Sequence, residues 1–332
     1  MLKLRKLASL ALAAAMVLTA FAGCSGSDAS SAPASAAEGD AAATYKVGIC
    51  QLVEHVALDA ATEGFMDALK AELGDAVEFD VQNAQNDTAT CATIANGFVS
   101  SGVDLIMANA TPALQAAAAA TADIPILGTS VTEYGVALGL DGFDGTVGGN
   151  ISGTSDLAPL DEQAAMLKEW FPDAKNVGLI YCSAEANSQY QVDVVKAELE
   201  ALGCTATLYP FSDSNDLASV CTTAVGECDV LYVPTDNTVA ANTGIIANIC
   251  QPEGVPVIAG EEGVCSGCGV ATLSISYYDL GYTTGEMAAK ILTGEADIST
   301  MPIEYAPVTQ KYNPAICEDL SLTAPEGYVA IG

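Results

Sequence analysis

From about residue 45 onward, the chain alternates short apolar runs with amphipathic segments. The run Tyr45–Leu52 favours a strand, and Leu58, Phe65 and Leu69 then recur at helical spacing. The same alternation continues to about residue 259. The predicted strands are Tyr45–Leu52, Val77–Val81, Asp104–Asn109, Ile124–Gly128, Asn176–Cys182, Cys204–Tyr209, Val230–Val233 and Val255–Ala259, and the predicted helices are residues 58–73, Thr88–Ser100, Leu114–Ala122, Leu160–Phe171, Ser188–Leu202, Asp216–Val225 and Val239–Ile249.

This alternation predicts an α/β protein. Strands that are almost continuously apolar are typical of parallel sheets covered by helices on both faces. The pattern pauses near Gly149–Asp156 and then begins again. We therefore predict two doubly wound lobes, residues 45–152 and 153–276, joined by a hinge and separated by a cleft.

Polar residues follow the predicted strands in both halves. In open α/β sheets, ligands bind past the carboxyl ends of the strands, near the amino termini of helices. Thr111, Ser188 and Asn237 could each simply cap a helix, but the whole set recurs at the same topological position in both lobes. The predicted ligand-binding residues are Glu54, His55, Thr111, Ser130, Ser183, Glu185, Asn187, Ser188, Thr235, Asp236, Asn237 and Glu261.

The first residues predict export. A short basic region precedes an apolar run, Leu7–Ala22, that is too short for a confident membrane span, so residues 1–23 are interpreted as a signal peptide. The run ends in Phe21-Ala22-Gly23-Cys24, which resembles the bacterial lipobox and implies lipidation of Cys24. The following residues, up to 43, are mostly Ser, Ala, Gly, Asp and Glu, a composition typical of a flexible tether. We predict an extracytoplasmic protein anchored to the outer face of the cell membrane.

Charge narrows the class of ligand. The chain has 42 acidic and 10 basic residues, a formal net charge of −32, and its only arginine, Arg5, lies in the predicted signal peptide. Nucleic-acid binding requires clustered cations and is excluded as a function. A phosphate-rich ligand is disfavoured for the same reason.

Histidine and cysteine give no sign of catalysis or metal binding. His55 is the only histidine, and no nucleophile–base pair or metal-ligand spacing stands out. Of the eleven cysteines, the pair Cys265 and Cys268 is the most suggestive, but a second close pair at zinc spacing is missing. We interpret the pair as structural, with a local disulfide as the alternative. We therefore predict no enzyme activity, cofactor or metal.

Several segments resemble one family. They are Gln51-Leu52-Val53-Glu54-His55, Phe79–Gln85, Ala110–Ala113, Ser155-Asp156-Leu157, Ser183–Ser188, Val233–Thr238 and Tyr277–Gly281. They resemble ABC transporter substrate-binding proteins related to the tryptophan/tyrosine-type amino-acid receptors of Gram-positive bacteria. The resemblance covers residues 45–305 and adds Asp156 to the predicted ligand-binding residues. One departure is Val56, where the family usually has proline.

The resemblance implies a type I periplasmic-binding fold with three crossovers between the lobes. Residues from about 277 to 305 would then return to the first lobe, and 306–332 to the second. The implied function is that of a monomeric receptor that captures a small molecule, which we take to be an aromatic or other apolar amino acid, for an ABC permease. A branched-chain amino acid, nucleoside or sugar stays open as the ligand, as does a sensor role.

An amino acid requires a site for its carboxylate and a site for its ammonium group. Without arginine, the bidentate carboxylate clamp is not available. We expect Thr111, Ser130 or Ser188 to receive the carboxylate, together with helix amides. Asp236 or Glu185 would pair with the ammonium group.

Overall fold

The structure is a computed structural model that describes residues 44–332. The predicted signal peptide, Cys24 and the tether lie outside the described residues. Within the described part of the chain, no helix is both long enough and apolar enough to cross a membrane.

Six strands form the first sheet, and all of its neighbouring strands are parallel. Its order is β11-β5-β4-β3-β1-β2. The elements of this first lobe are β1 (Tyr45–Gln51), α1 (Val56–Leu73), β2 (Val77–Asn83), α2 (Thr88–Ser101), β3 (Leu105–Asn109), α3 (Thr111–Ala120), β4 (Ile126–Val131), α4 (Tyr134–Leu138) and β5 (Ile151–Ser155), joined later in the chain by α11 (Tyr277–Leu292) and β11 (Glu304–Tyr305).

Seven strands form the second sheet, in the order β13-β12-β10-β9-β8-β6-β7. Only the β10–β12 pair is antiparallel among these described strands. The elements of this second lobe are α5 (Leu160–Trp170), β6 (Asn176–Cys182), α6 (Ala186–Ala201), β7 (Thr205–Phe211), α7 (Ser214–Glu227), β8 (Val230–Val233), α8 (Asn237–Ala240), α9 (Thr243–Glu253), β9 (Val257–Ala259), α10 (Glu262–Cys268), β10 (Ala271–Ser274), β12 (Thr309–Tyr312), α12 (Pro314–Asp319) and β13 (Val329–Ala330).

Helices cover both faces of each sheet, which explains the apolar strands. In the first lobe, α2 and α3 pack on one face through Phe98 and Leu114, while α1 and α11 pack on the other through Phe65 and Met287. The second lobe likewise has one core under α5 and α6 and another under α7, α9 and α10. Each strand interior is therefore buried on both sides.

The chain crosses between the sheets three times, at residues 156–159, at 275–276 and at 306–308. The segment that we interpreted as a separator, Gly149–Asp156, contains strand β5, which pairs with β4. The first sheet therefore continues to Ser155, beyond residue 152. Sequence analysis also missed α4, α10 and the break between α8 and α9, because these helices have at most seven residues or are divided by one short turn.

Helices α1 and α11 approach each other closely at two glycines. A Cβ atom added to Gly281 would lie 1.9 Å from the carbonyl oxygen of Ala61, and one added to Gly64 would lie 2.1 Å from that of Tyr278. Such distances are far inside van der Waals contact. The two glycines therefore let α11, which follows a crossover, pack directly on the backbone of α1.

The ten cysteines of the described residues have free thiols, and nine of them are buried. Cys265 and Cys268 lie within α10, where Cys268 Sγ donates to the carbonyl of Val264 at 3.3 Å. Our interpretation of this pair as structural agrees with its position in the core beneath α9 and α10.

Candidate functional site

A small cavity lies between the two lobes, at the carboxyl ends of both sheets. Its free volume is about 10 Å³, room for about one water molecule between the closed walls. The first lobe and the first crossover contribute His55, Leu58, Ser130, Thr132, Asp156 and Tyr277, and the second lobe contributes Asn187, Thr235, Asp236, Asn237, Ala240 and Glu261. Three carboxylates and no lysine line this space, so it is suited to a ligand that carries positive charge.

Asp156 is the carboxylate with unused hydrogen-bonding capacity. It begins the first crossover, directly after β5, and is 4% exposed. Its Oδ2 accepts a 3.0 Å hydrogen bond from the phenol of Tyr277, whereas its buried Oδ1 has no partner. Burial raises the pKa of Asp156 to about 6. An ammonium group in the cavity would pair with Oδ1 and favour the ionised form.

Each carboxylate oxygen of Asp236 and Glu261 accepts a hydrogen bond from a backbone N–H group. Asp236 accepts from the backbone N–H of Val239 at 2.9 Å and from that of Cys182 at 2.7 Å. Glu261 accepts from the N–H groups of Gly263 and Val264 at the start of α10. Burial raises the pKa of Glu261 to about 7, and burial beside Glu185 also raises the pKa of Asp236.

Glu185 is fully satisfied within the second lobe. Its carboxylate accepts from the backbone and side chain of Asn237 at 3.1 and 2.7 Å, and from the backbone and side chain of Thr238 at 2.9 and 2.8 Å. Asn187 Nδ2 adds a fifth bond, at 3.3 Å. Glu185 therefore fixes the start of α8, and it does not line the cavity.

Unpartnered acceptors and hydroxyls also occur on both sides of the cleft. In the first lobe, the hydroxyl groups of Ser130 and Thr111 are buried without a hydrogen bond, and in the second lobe so is Oδ1 of Asn187. Ser130, with φ of +52°, and Ala110, with φ of +89° directly before α3, both have a positive φ that residues other than glycine rarely adopt. Strain of this kind in non-glycine residues is concentrated at functional sites.

The start of α3 lies next to Ser130. The backbone N–H of Ala110 donates to Thr129 at 3.0 Å, which joins the end of β3 to that of β4. α3 has no side-chain cap at its amino terminus. The N–H groups of Thr111 and Ala113 and the Thr111 hydroxyl are therefore groups that an anionic ligand atom could engage, whereas Pro112 has no N–H.

Eight of the thirteen predicted ligand-binding residues line the cavity: His55, Ser130, Asp156, Asn187, Thr235, Asp236, Asn237 and Glu261. Thr111, Glu185 and Ser188 are buried behind this lining. Glu54 and Ser183 are exposed, and Ser183 donates to the carbonyl of Phe211.

Four lining residues were not among those predicted to bind the ligand: Leu58, Thr132, Ala240 and Tyr277. Leu58 and Ala240 fall at ordinary helix positions, so nothing in the sequence separates them from core residues. Tyr277 begins α11 directly after the second crossover, which periodicity alone does not reveal. It lies in one of the segments that carry the family resemblance, and this was the available signal.

Two α/β lobes that enclose a polar cavity at the carboxyl ends of their sheets define a solute-binding protein of the type I periplasmic-binding fold. The chain belongs to the family of ABC transporter substrate-binding proteins, whose family model matches residues 46–330. The fold class and the solute-binding function predicted from the sequence are thus confirmed. Proteins of this family are non-enzymatic and extracytoplasmic.

Three relatives illustrate the similarity. The chain is 39% identical over 306 residues to the tyrosine-binding protein of Clostridioides difficile, covering 91% of this chain and 88% of the relative. An ABC domain from Streptococcus pneumonia solved in complex with L-Trp is 31% identical, covers 87% of this chain and 100% of its own length, and superposes with a TM-score of 0.82. The ligand-free, open structure of a substrate-binding protein with adhesive properties from Clostridium difficile is 41% identical, with 87% and 99% coverage and a TM-score of 0.67.

The lobes of this structure are closed on each other. The ligand-free, open structure has the higher sequence identity to this chain, but the L-Trp complex superposes on it with the higher TM-score over the same share of the chain. Direct hydrogen bonds between the lobes agree with this, since His55 of the first lobe contacts Asn237 of the second at 3.3 Å. The cavity is therefore the closed state of the cleft between the lobes.

Proposed function

We propose that this protein is the receptor of an ABC importer and that it captures an aromatic amino acid between its lobes. The observation that carries the proposal is the unpartnered Oδ1 of Asp156 in a cavity without lysine. A buried carboxylate gains most when a cation pairs with it, and an ammonium group supplies both charge and N–H donors.

The ammonium group would lie between Asp156 Oδ1 and Asn187 Oδ1. Both atoms are acceptors, both are buried and both lack a partner. This assignment differs from the expectation that Asp236 or Glu185 pairs with the ammonium group. Glu185 accepts five hydrogen bonds and does not line the cavity, and each oxygen of Asp236 already accepts one backbone N–H, whereas Asp156 Oδ1 accepts none. Asp236 and Glu185 then act by holding the cavity wall in place.

The carboxylate would lie towards the first lobe, at Ser130. Its free hydroxyl lines the cavity and can donate to an anionic group. The hydroxyl of Thr111 and the N–H groups of Thr111 and Ala113, buried behind the lining, are the further donors on that side. Donors of this kind can take the place of the arginine clamp that the chain lacks. A zwitterion therefore satisfies groups on both sides of the closed cleft.

Aromatic specificity rests on the relatives, one named as a tyrosine-binding protein and one solved with L-Trp. The structure offers space for a large side chain, because a wider pocket continues from the cavity and shares its residues His55, Ala240, Glu261 and Tyr277. Val56, Ala57 and Ile275 add apolar walls to this pocket.

A thermal-shift panel of the twenty amino acids, simple amines, nucleosides and sugars tests this proposal. L-Tyrosine or L-tryptophan at a hundredfold excess over its dissociation constant should stabilise residues 44–332 by about 2.7 kcal/mol. If amines that lack a carboxylate raised the melting temperature, the ammonium site at Asp156 would be retained and recognition of a zwitterion would be excluded. A shift with sugars or nucleosides alone would overturn the amino-acid assignment.

We further propose that a lipid on Cys24 anchors the protein to the outer face of the membrane and that an ABC permease is its partner. The support is the lipobox-like segment ending in Cys24, together with the family assignment. Cys24→Ser should release the protein from membranes into the culture medium. Equal membrane retention of that variant in a fractionation experiment would exclude the anchor.

A further inference from the structure

Two side-chain hydrogen bonds cross the cleft and end on adjacent residues of the second lobe. His55 Nε2 and Asn237 Oδ1 are 3.3 Å apart, and Asn86 Nδ2 donates to Thr238 Oγ1 at 3.0 Å. Asn237 and Thr238 are the first two residues of α8. Asn86 and Thr238 do not belong to the lining of the ligand cavity.

Glu185 determines which atoms the second lobe presents to the first. A carboxylate accepts hydrogen bonds, so the Nδ2 group of Asn237 and the hydroxyl proton of Thr238 are both directed towards it. Oδ1 of Asn237 and the oxygen of Thr238 are then left to accept bonds from across the cleft. His55 must therefore hold its proton on Nε2, and Asn86 supplies the second N–H donor.

A strained turn presents Asn86 at the edge of the first lobe. Gln85 and Asn86 both have left-handed backbone conformations, with φ of +54° and +62°. The turn is held by bonds from Gln85 N to Asn83 Oδ1 at 2.7 Å and from Asn86 N to Leu52 O at 2.8 Å. Asparagine tolerates this conformation better than most residues, so the side chain is held in position before closure.

We propose that Asn86 and His55 form an interlobe latch, in which both residues donate hydrogen bonds to acceptors on α8 that Glu185 orients. Asn86 therefore affects ligand affinity without touching the ligand. Closure and capture are linked equilibria, since stabilising the closed state raises the apparent affinity for any ligand that binds it. The latch rests on the proposed function only in that it needs a ligand bound by lobe closure. Its geometry is independent of which ligand is bound.

Substitutions at position 86 test the latch. Asn86→Gly retains the left-handed turn and removes the donor. Asn86→Asp has the same shape, but its carboxylate is an acceptor where asparagine has a donor. This negative charge would face the oxygen of Thr238, whose proton is already donated to Glu185. Gln85→Gly, at the neighbouring left-handed residue, is the matched control for backbone flexibility.

Calorimetry with L-tyrosine should show affinity about fivefold weaker for Asn86→Gly, weaker still for Asn86→Asp, and within about twofold of the original for Gln85→Gly. Affinities for both Asn86 variants equal to that of the control would overturn the latch. If the unmodified protein binds none of the amino acids, the proposed ligand fails, and the latch is judged by small-angle scattering without ligand. In that case, a radius of gyration no larger for Asn86→Asp than for the unmodified protein would overturn it.

Discussion

The phenol of Tyr277 donates a 3.0 Å hydrogen bond to Oδ2 of Asp156, and this bond joins the first crossover to the start of α11, directly after the second crossover. Asp156 begins the first crossover, and Tyr277 is the first residue after the second. The bond occupies Oδ2 and leaves Oδ1 without a partner. One pair of residues thus connects the hinge to the proposed ammonium site.

Asp156→Asn should abolish most of the affinity for amino acids. The asparagine oxygen can still accept from Tyr277, but its amide group would direct N–H donors at the ligand ammonium. Loss of one partner from a buried ion pair predicts binding weakened about 100-fold or more. Tyr277→Phe, which removes only a hydrogen bond, should weaken binding about fivefold, as measured by calorimetry.

The neighbouring pair Tyr278 and Asp67 provides a matched control. Tyr278 donates to Asp67 Oδ2 at 3.1 Å, but this bond is exposed on the outside of α1 and α11. Asp67→Asn should leave affinity unchanged. If Asp156→Asn and Asp67→Asn bound L-tyrosine equally well, Asp156 would not be the ammonium site.

Affinity should increase with pH because Asp156 must be ionised to pair with the ligand. In the closed cleft the pKa of Asp156 is raised to about 6. At pH values between its ordinary pKa and about 6, the closed, ligand-free protein therefore binds more protons than the unfolded chain. The stability of that form therefore falls as pH rises through this window. The ligand ammonium offsets that loss, so calorimetry should show binding about tenfold tighter well above pH 6 than at about pH 5.

The pH profile also separates Asp156 from its neighbour Glu261. Glu261 has its pKa raised to about 7, in the same direction, but its oxygens cap α10. Asp156→Asn should therefore flatten the part of the profile near pH 6. A profile of unchanged slope in that variant would assign the titration to Glu261 or to Asp236, whose pKa is raised as well.

Periodicity predicted the βα units well because buried parallel strands are apolar throughout and thus conspicuous. It could not predict β5 within the Gly-rich segment, since Ile151–Ser155 contains only one large apolar residue and is positioned by its pairing with β4. The same limit applied to the site. The position of Asp236 after a strand was visible in the sequence, whereas the use of both its oxygens by Cys182 and Val239 depends on tertiary contacts.

Gly281→Ala should strongly destabilise the fold. Its new Cβ would lie 1.9 Å from the carbonyl oxygen of Ala61, which is backbone and cannot move aside like a side chain. We expect a loss of about 3 kcal/mol or more in the free energy of unfolding, measured with urea. Gly97→Ala, in α2 with open space around the site, should be neutral or stabilising by about 0.5 kcal/mol. Equal stability of the two variants would contradict the close packing of α1 on α11.

Substitutions of Ser130 should have separable effects on ligand affinity and on the free energy of unfolding. Ser130→Ala removes the free hydroxyl and keeps the side-chain strain at φ of +52°, whereas Ser130→Gly removes both. Both variants should lose a similar factor in affinity for L-tyrosine, about fivefold for one hydrogen bond. Ser130→Gly should nevertheless unfold with a free energy about 1 kcal/mol higher than that of Ser130→Ala, because glycine adopts the left-handed conformation without a steric cost.

Urea unfolding and calorimetry on the same two proteins measure both effects. If Ser130→Ala bound as tightly as the unmodified protein, the hydroxyl would not contact the ligand carboxylate, and Thr111 with the amides of α3 would be left as its site. If affinity fell but the two variants were equally stable, the strain at Ser130 would be absent in solution. The expected combination, lower affinity with a more stable glycine variant, would mean that a strained residue is retained at this position because its hydroxyl binds the ligand.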